Sequence, residues 1–248
     1  ILEKNLSGNL IGSLKGKVLS SKVKLNFSYN IESIAISNLY FRDQKLSLES
    51  DGFLRLKPFF IINLNSKIKD IDLKFLRNFN LASLLKFQSL IKTMNSKNVI
   101  TFNRNKFSNS LVSKLQLKID LAHGRLNVLK NLKIENSNFI CQKNINLLDE
   151  YPILYFNCTI YSPDIKKLLK IINIKYKNKK ENFSLNFNGN INILSNKINF
   201  ESIKTDNYIA NEEDLKYFKT TFENILFDEK FIDIFDISKI RKFVLEIS

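Results

Sequence analysis

Residues 45–81, KLSLESDGFLRLKPFFIINLNSKIKDIDLKFLRNFNL, decide the fold of this chain. From Leu54 to Ile68 the even positions are mostly apolar, and most odd positions carry Arg, Lys or Asn. Alternation with a period of two is typical of strands that have one buried and one solvated face. After Asp72 the apolar residues of 73–79 take up a helical spacing instead. The stretch therefore predicts amphipathic strand, then Asp, then a short apolar helix.

The same order of elements occurs a second time. Tyr155–Ile160 reads as a strand, and Asp164 precedes an apolar helical pattern that reaches Ile174. Asp72 and Asp164 lie 92 residues apart, and each stands where an N-cap residue is preferred. These two units predict an internal repeat in which Asp72 and Asp164 each cap a helix.

Period-two alternation continues over most of the chain, from 22–29 through 114–121 to 183–193. It predicts a mainly β (α+β) fold, a long curved antiparallel sheet built as a meander, with helices near 72–94, 164–174 and 211–226. Residues 1–205 are expected to form this β domain. Residues 206–248 are expected to form a helical C-terminal segment that ends in a final strand.

The charge is strongly positive and uneven. The chain has a net charge of +15, and residues 1–200 carry 32 Lys and Arg against 13 Asp and Glu. One interpretation is attraction to an anionic surface such as lipid headgroups or nucleic acid. The other is compositional, because a chain rich in Lys, Asn and Ile is typical of an AT-rich genome. Sequence alone leaves both open.

No set of residues indicates catalysis. The single histidine, His123, lies in a predicted turn beside Gly124, and neither H-x-x-x-H nor C-x-x-C occurs. We therefore expect no enzyme activity, no metal and no cofactor. Nucleic acid is not favoured as a partner, because nearly every Phe falls on the apolar parity of its strand or helix.

The two cysteines are placed symmetrically about a predicted turn. Cys141 and Cys158 lie equally far from the turn around Asp149 and Glu150, so a hairpin would bring them face to face. A disulfide in an oxidising compartment and a pair of buried thiols both fit this position.

The pattern resembles the AsmA-like family of bacterial envelope proteins. The features that carry the resemblance are the meander of 22–68 with SLESDGFLRL at 47–56, the units at Asp72 and Asp164, and the late hairpin of 183–200. The resemblance implies a non-enzymatic periplasmic protein involved in outer-membrane biogenesis or phospholipid transport through an apolar β-groove. It also implies a tether to the inner membrane by an N-terminal helix, which these 248 residues do not include.

Parity and resemblance together indicate candidate site residues. The expected lipid-groove residues are Leu54, Leu56, Phe60, Ile62, Leu64, Phe183, Phe187 and Ile191. The expected contacts to anionic headgroups are Lys175, Lys177, Lys179 and Lys180. The alternative is a structural β scaffold whose helices cover the apolar face and whose partner is another envelope protein. An enzyme acting on glycans is a weaker third interpretation.

Overall fold

The computed structural model describes residues 2–4, 10–18, 21–43, 46–71, 85–104, 112–171, 173–175, 182–226, 239 and 241–242. The strands are β1 (Leu2–Lys4), β2 (Leu10–Val18), β3 (Ser21–Tyr29), β4 (Ser33–Arg42), β5 (Leu46–Arg55), β6 (Phe60–Ile71), β7 (Met94–Asn103), β8 (Val112–Ala122), β9 (Arg125–Ile134), β10 (Ser137–Asn146), β11 (Ile153–Ser162), β12 (Phe183–Asn192) and β13 (Lys197–Thr205). The helices are α1 (Gln88–Thr93), α2 (Ile165–Ile171) and α3 (Glu212–Leu226).

The described strands form one sheet whose spatial order follows the sequence from β1 to β13. The mainly β prediction is confirmed, but the sheet is mixed rather than wholly antiparallel, because β6 and β7 pair in parallel. A parallel pair needs a long connection that returns to the starting end of the first strand, and residues 72–93 supply one. The other neighbouring strands pair antiparallel, as the meander pattern predicts.

Tight turns explain why so many strands follow one another directly. The β8–β9 turn consists of His123 and Gly124, whose φ values of 48° and 81° match the left-handed pair of a two-residue hairpin. The backbone N–H of His123 also donates to Asn95 Oδ1 at 3.2 Å. The prediction of a turn histidine is therefore confirmed.

The predicted helices are found wherever the structure describes them. Residues 72–84 lie outside the described residues, and α1 covers the end of the predicted 72–94 helix. The helix predicted at 164–174 is shorter, since α2 ends at Ile171. The predicted final strand at 243–247 also lies outside the described residues.

The two predicted repeat units lead into different strand pairings. The first connects β6 to its parallel neighbour β7, whereas the second, which contains Asp164 and α2, connects β11 to its antiparallel neighbour β12. The two units therefore differ in how their flanking strands pair, and the strand pairing does not repeat. Asp164 nevertheless caps its helix as predicted, because its Oδ1 accepts a hydrogen bond from the Lys167 backbone N–H at 2.9 Å.

The hydrophobic core lies at the C-terminal end of the sheet. There α3 packs its apolar side chains Leu215, Phe218 and Phe222 against the sheet, and Phe222 meets Phe200 edge-on at 5.6 Å between ring centroids. Ile91 of α1 joins the same cluster. The two helices therefore cover one face of the sheet near its last strands.

We expect Asp164→Ala to lower the free energy of unfolding by about 0.5–2 kcal/mol, because the Lys167 N–H loses its capping oxygen. Urea unfolding measures the effect. Asp164→Asn keeps an acceptor oxygen and serves as the matched control, so equal stability of the Ala variant and wild type would contradict the cap.

A second prediction concerns Gly189, where a Cβ atom would stand 2.1 Å from the Asn199 carbonyl oxygen. Backbone must move to admit it, and we expect Gly189→Ala to cost about 1–3 kcal/mol. Gly16 is the control, since nothing lies within 4 Å of a Cβ placed there. Thermal and urea unfolding of both Ala variants test this, and equal stability of the two would contradict it.

Candidate functional site

One face of the sheet, here called the apolar face, carries mostly apolar side chains over twelve strands, with Ser50, Ser66, Ser96 and Asn98 as polar positions on β5, β6 and β7. The strand registers align its side chains in rows that run across the sheet. One row is Leu14, Leu25, Leu39, Ser50, Ser66, Ile100, Leu117, Lys130, Cys141, Cys158, Phe187 and Ile203. The next is Gly12, Phe27, Ile36, Gly52, Leu64, Asn98, Ile119, Val128, Lys143, Phe156, Gly189 and Phe200.

Two further rows flank these and complete the face. The first is Leu10, Tyr29, Ile34, Leu54, Ile62, Ser96, Leu121, Leu126, Ile145, Leu154, Ile191 and Ile198. The second is Gly16, Val23, Phe41, Leu48, Ile68, Phe102, Leu115, Leu132, Phe139, Ile160, Leu185 and Thr205. None of the four rows contains a carboxylate.

Burial changes along the apolar face. Near the last strands Leu154, Phe156, Ile191 and Ile198 are buried in the core beneath α3 and α1. From β3 to β6 most apolar side chains of the rows are only half-buried, and on β2 Leu14 is 53% exposed. The face is therefore closed at its C-terminal end and open to solvent over its N-terminal strands.

Two lysines belong to the apolar face. Lys130 of β9 stands opposite Cys141 of β10, and Lys143 lies two residues further along β10, so the two lysines are diagonal neighbours. Diagonal positions on adjacent strands lie about 7–8 Å apart, within reach of long side chains. They are the only charged residues in the four rows, and each is half-buried.

Burial lowers the pKa of both lysine amines. Burial first, and the positive charge of Lys143 second, lower the pKa of Lys130 to about 8. Burial also lowers the pKa of Lys143. Desolvation disfavours the charged form of an amine, and a second nearby cation disfavours it further. The pair thus forms an electropositive spot within an apolar surface.

The predicted hairpin brings the two cysteines together. Cys141 and Cys158 are directly paired across β10 and β11 with Cα atoms 4.1 Å apart, and they form a disulfide. The sequence allows either a disulfide or a pair of buried thiols, and the structure contains the disulfide. The bridge lies in the same row as Lys130 and directly beside it, and it joins β10, which carries Lys143, to β11.

The predicted groove residues fall into two groups by burial, and Leu56 lies apart from both in a turn. Leu54, Phe60, Ile62 and Leu64 lie on the apolar face and are half-buried. Phe183, Phe187 and Ile191 share that face, but Phe187 and Ile191 pack in the covered cluster, so they line a core rather than an open groove.

Leu56 lies outside the strands, and its predicted contact with lipid stays a prediction. It lies in the 56–59 turn between β5 and β6, where it is 37% exposed and its backbone N–H donates to the Glu32 carbonyl at 2.7 Å. The alternation at 54–64 runs through this turn, so parity alone could not reveal it.

The predicted headgroup lysines are mostly outside the described residues. Lys175 is exposed, and Lys177, Lys179 and Lys180 cannot be placed relative to the apolar face because they belong to the part of the chain that the structure does not describe.

Sequence reasoning missed Lys130 and Lys143. The signal was present, since each interrupts an apolar alternation: Leu126, Val128, Lys130, Leu132 on one strand and Phe139, Cys141, Lys143, Ile145 on the next. A single such lysine carries little information in a lysine-rich chain. Two on adjacent strands become informative only when the register places them side by side.

Other features of the described residues offer no competing site. A hollow of about 490 Å³ opens beside Asn38, Glu49, Asp51 and Lys67, but its lining is mainly polar and it is widely open to solvent. No group of three or more His, Cys, Asp or Glu side chains in the described ranges is arranged to hold a metal ion. None of the described helices has the length and apolar character needed to cross a membrane.

Comparison of the chain with protein-family models, with curated proteins and with solved structures finds no match. The AsmA-like resemblance therefore stays a prediction, and the geometry of the apolar face carries the functional argument.

The lysine pair generates a pH prediction. The Lys130 amine titrates near 10.4 in the unfolded chain and near 8 in the folded protein. The folded state binds fewer protons between these values, so this group makes the free energy of unfolding rise as pH increases from about 8 to about 10.4. We expect Lys130→Met to be more stable than wild type by about 1–2 kcal/mol at pH 7, and the difference to shrink towards pH 10.

Urea unfolding at pH 7, 8, 9 and 10 measures this difference. Lys118→Met is the control, because Lys118 is an exposed lysine on the opposite face of β8. A stability difference for Lys130→Met that stays constant with pH would show that the Lys130 amine is not desolvated.

Proposed function

We propose that this protein is a non-enzymatic, AsmA-like envelope protein that binds the acyl chains of lipids along its apolar face. Its role would be phospholipid transport or outer-membrane biogenesis. The observation that carries the proposal is the contrast along that face: twelve strands keep one face mostly apolar, yet the helices of the described chain bury it only towards its C-terminal strands. An apolar surface of this extent that is left half-exposed marks a binding site.

The shape of the face favours lipid over a protein partner. Strands lie about 4.8 Å apart, so each row of twelve residues runs for about 50 Å along the sheet. Most positions of the rows are apolar, with small polar side chains at Ser50, Ser66 and Ser96, and such a surface suits an extended chain of CH₂ groups. The charges of the face are both positive, and its rows hold no acid. An acyl lipid with an anionic headgroup therefore complements the face better than an apolar helix with polar flanks of mixed charge.

The energy of binding limits which lipids fit. Each buried CH₂ contributes about 0.8 kcal/mol, so ten buried carbons supply about 8 kcal/mol. Association itself costs about 4–15 kcal/mol in lost freedom. A short chain thus gains little, and stable binding needs a long acyl chain, a second chain or a charged anchor.

The disulfide supports an envelope location. Disulfides persist in oxidising compartments such as the bacterial periplasm and are rare in the cytosol. We place the protein in the periplasm, with the tether to the inner membrane contributed by a segment outside this sequence. A structural β scaffold that holds another envelope protein on the same face is the competing function.

The test is lipid extraction and mass spectrometry of protein purified in mild detergent. We expect wild type to carry phospholipid or another acyl lipid. Leu25→Asp adds a charge to the open part of the face, between Leu14 and Leu39. Placing an uncompensated carboxylate against an acyl chain costs more than about 1.4 kcal/mol of binding free energy. The amount of bound lipid should therefore fall roughly tenfold or more.

Asn26→Asp is the matched control, since it adds the same charge on the opposite face of the same strand. It should leave bound lipid unchanged. Circular dichroism and urea unfolding establish that both variants fold. A wild-type protein without lipid, or a Leu25→Asp variant that unfolds while Asn26→Asp folds, would contradict the proposal and favour the scaffold.

A further inference from the structure

The polar face of the sheet, which lies opposite the apolar face, has an uneven charge. Strands β2, β3 and β4 contain five Lys and Arg residues and no Asp or Glu. The next two strands, β5 and β6, contain three residues of each sign. The registers place all five cations of β2–β4 on the polar face, in two neighbouring rows. These cations, here called the cationic patch, are Lys15, Lys17, Lys22, Lys24 and Arg42.

Within the cationic patch, cations stand opposite cations on adjacent strands. The directly opposed pairs are Lys15 with Lys24, Lys17 with Lys22, and Lys22 with Arg42. Like charges placed directly opposite each other destabilise a sheet. All five side chains are exposed, and none forms an ion pair with a residue that the structure describes. Glu49 shares a row with Lys24 but lies two strands away, and its carboxylate is paired with the Lys69 amine at 3.0 Å. An external polyanion would therefore relieve the repulsion within the patch.

The cationic patch lies at the border of the sheet. Of the described strands, β1 alone lies beyond β2, and it pairs with residues 10–12 of that strand. Leu14 stands beside Lys15 in β2 but on the apolar face, and it is 53% exposed. The border strand thus has an exposed leucine on one face and cations on the other. Long lysine side chains can reach charged headgroups while a neighbouring leucine enters the apolar part of a bilayer interface.

We propose that the cationic patch docks this border of the sheet on a bilayer that contains anionic lipid, with Leu14 entering the interface. The inference rests on the proposed function, from which it takes the envelope location. It adds the surface at which the protein meets the membrane. That surface lies at the opposite end of the strand order from the loop that contains Lys175.

Two observations favour a bilayer over nucleic acid as the polyanion. The Cys141–Cys158 disulfide indicates an oxidising compartment outside the cytosol. The exposed side chain of Leu14 gains free energy at the boundary between headgroups and acyl chains, whereas a phosphate backbone offers it no apolar surface. The patch also consists of side chains from regular neighbouring strands, so it presents its charges side by side as a layer of headgroups does.

Co-sedimentation with lipid vesicles tests the docking. One set of vesicles contains phosphatidylcholine alone, and in the other set a third of the lipid is anionic phosphatidylglycerol. Each Lys or Arg near an anionic surface strengthens binding about fivefold. We therefore expect wild type to bind the anionic vesicles at least tenfold more tightly than the neutral ones. Binding should weaken as salt is added, because exposed charges are screened.

The test variant replaces the four lysines of the patch: Lys15→Gln/Lys17→Gln/Lys22→Gln/Lys24→Gln. Its affinity for anionic vesicles should fall at least tenfold. The free energy of unfolding in urea should equal or exceed that of wild type, because opposed like charges are removed. Replacement of the same four lysines by Arg should retain binding. Leu14→Ser should weaken binding at every salt concentration, since it removes an apolar contact rather than a charge.

A charge-matched control removes four exposed lysines from β8 and α2, which lie outside the patch. The control variant is Lys114→Gln/Lys118→Gln/Lys166→Gln/Lys170→Gln. It has the same net charge as the test variant and should bind anionic vesicles far more tightly. Equal loss of binding in the two variants overturns the patch, because the total charge of the chain would then drive binding.

The remaining outcomes separate the docking from the proposed function. A wild-type protein that binds duplex DNA but not anionic vesicles overturns the docking and favours nucleic acid. A neutral fluorescent alkyl probe, added to delipidated protein without vesicles, reports the apolar face separately, because the patch lies on the opposite face. Failure of vesicle binding while the probe still binds overturns the docking alone. Failure of the probe to bind wild type overturns the proposed function.

Discussion

The structure depends on strand register. Side chains alternate faces with a period of two, so a slip of one residue anywhere would turn the rest of a strand over. Here the registers of twelve successive strands keep the same parity, even where the pairing is shifted, as between Asn188 and Gly189. That continuity creates the apolar face, and the proposed binding of lipid depends on it.

Much of this architecture can be predicted from the sequence, because period-two alternation is a local signal. Strands such as β3 and β12 follow from their own residues, and the cysteine hairpin follows from symmetry about one turn. The parallel pairing of β6 with β7 could not be predicted, because it depends on the path of the connection between them. Parity also continued through Leu56, whose place in a turn depends on neighbouring strands rather than on its own pattern.

The candidate site residues are harder to predict than the fold. Parity places Leu54, Ile62 and Leu64 on the apolar face, because such a face is an average property of many residues. Phe187 and Ile191 have the same parity but pack in the covered core, so parity alone does not distinguish an open surface from a buried one. Lys130 and Lys143 required two pieces of information at once, their own parity and the register between β9 and β10. Only the second distinguishes a paired site from the scattered lysines of a basic chain.

The sequential order of strands has a consequence for how such a protein can change over evolution. Each strand touches mainly the two strands next to it in sequence, so the sheet behaves as a one-dimensional array. Inserting or deleting one hairpin adds or removes two strands and leaves the parity of all others intact. The length of the apolar face can therefore change in steps of about 10 Å without redesign of the remaining strands.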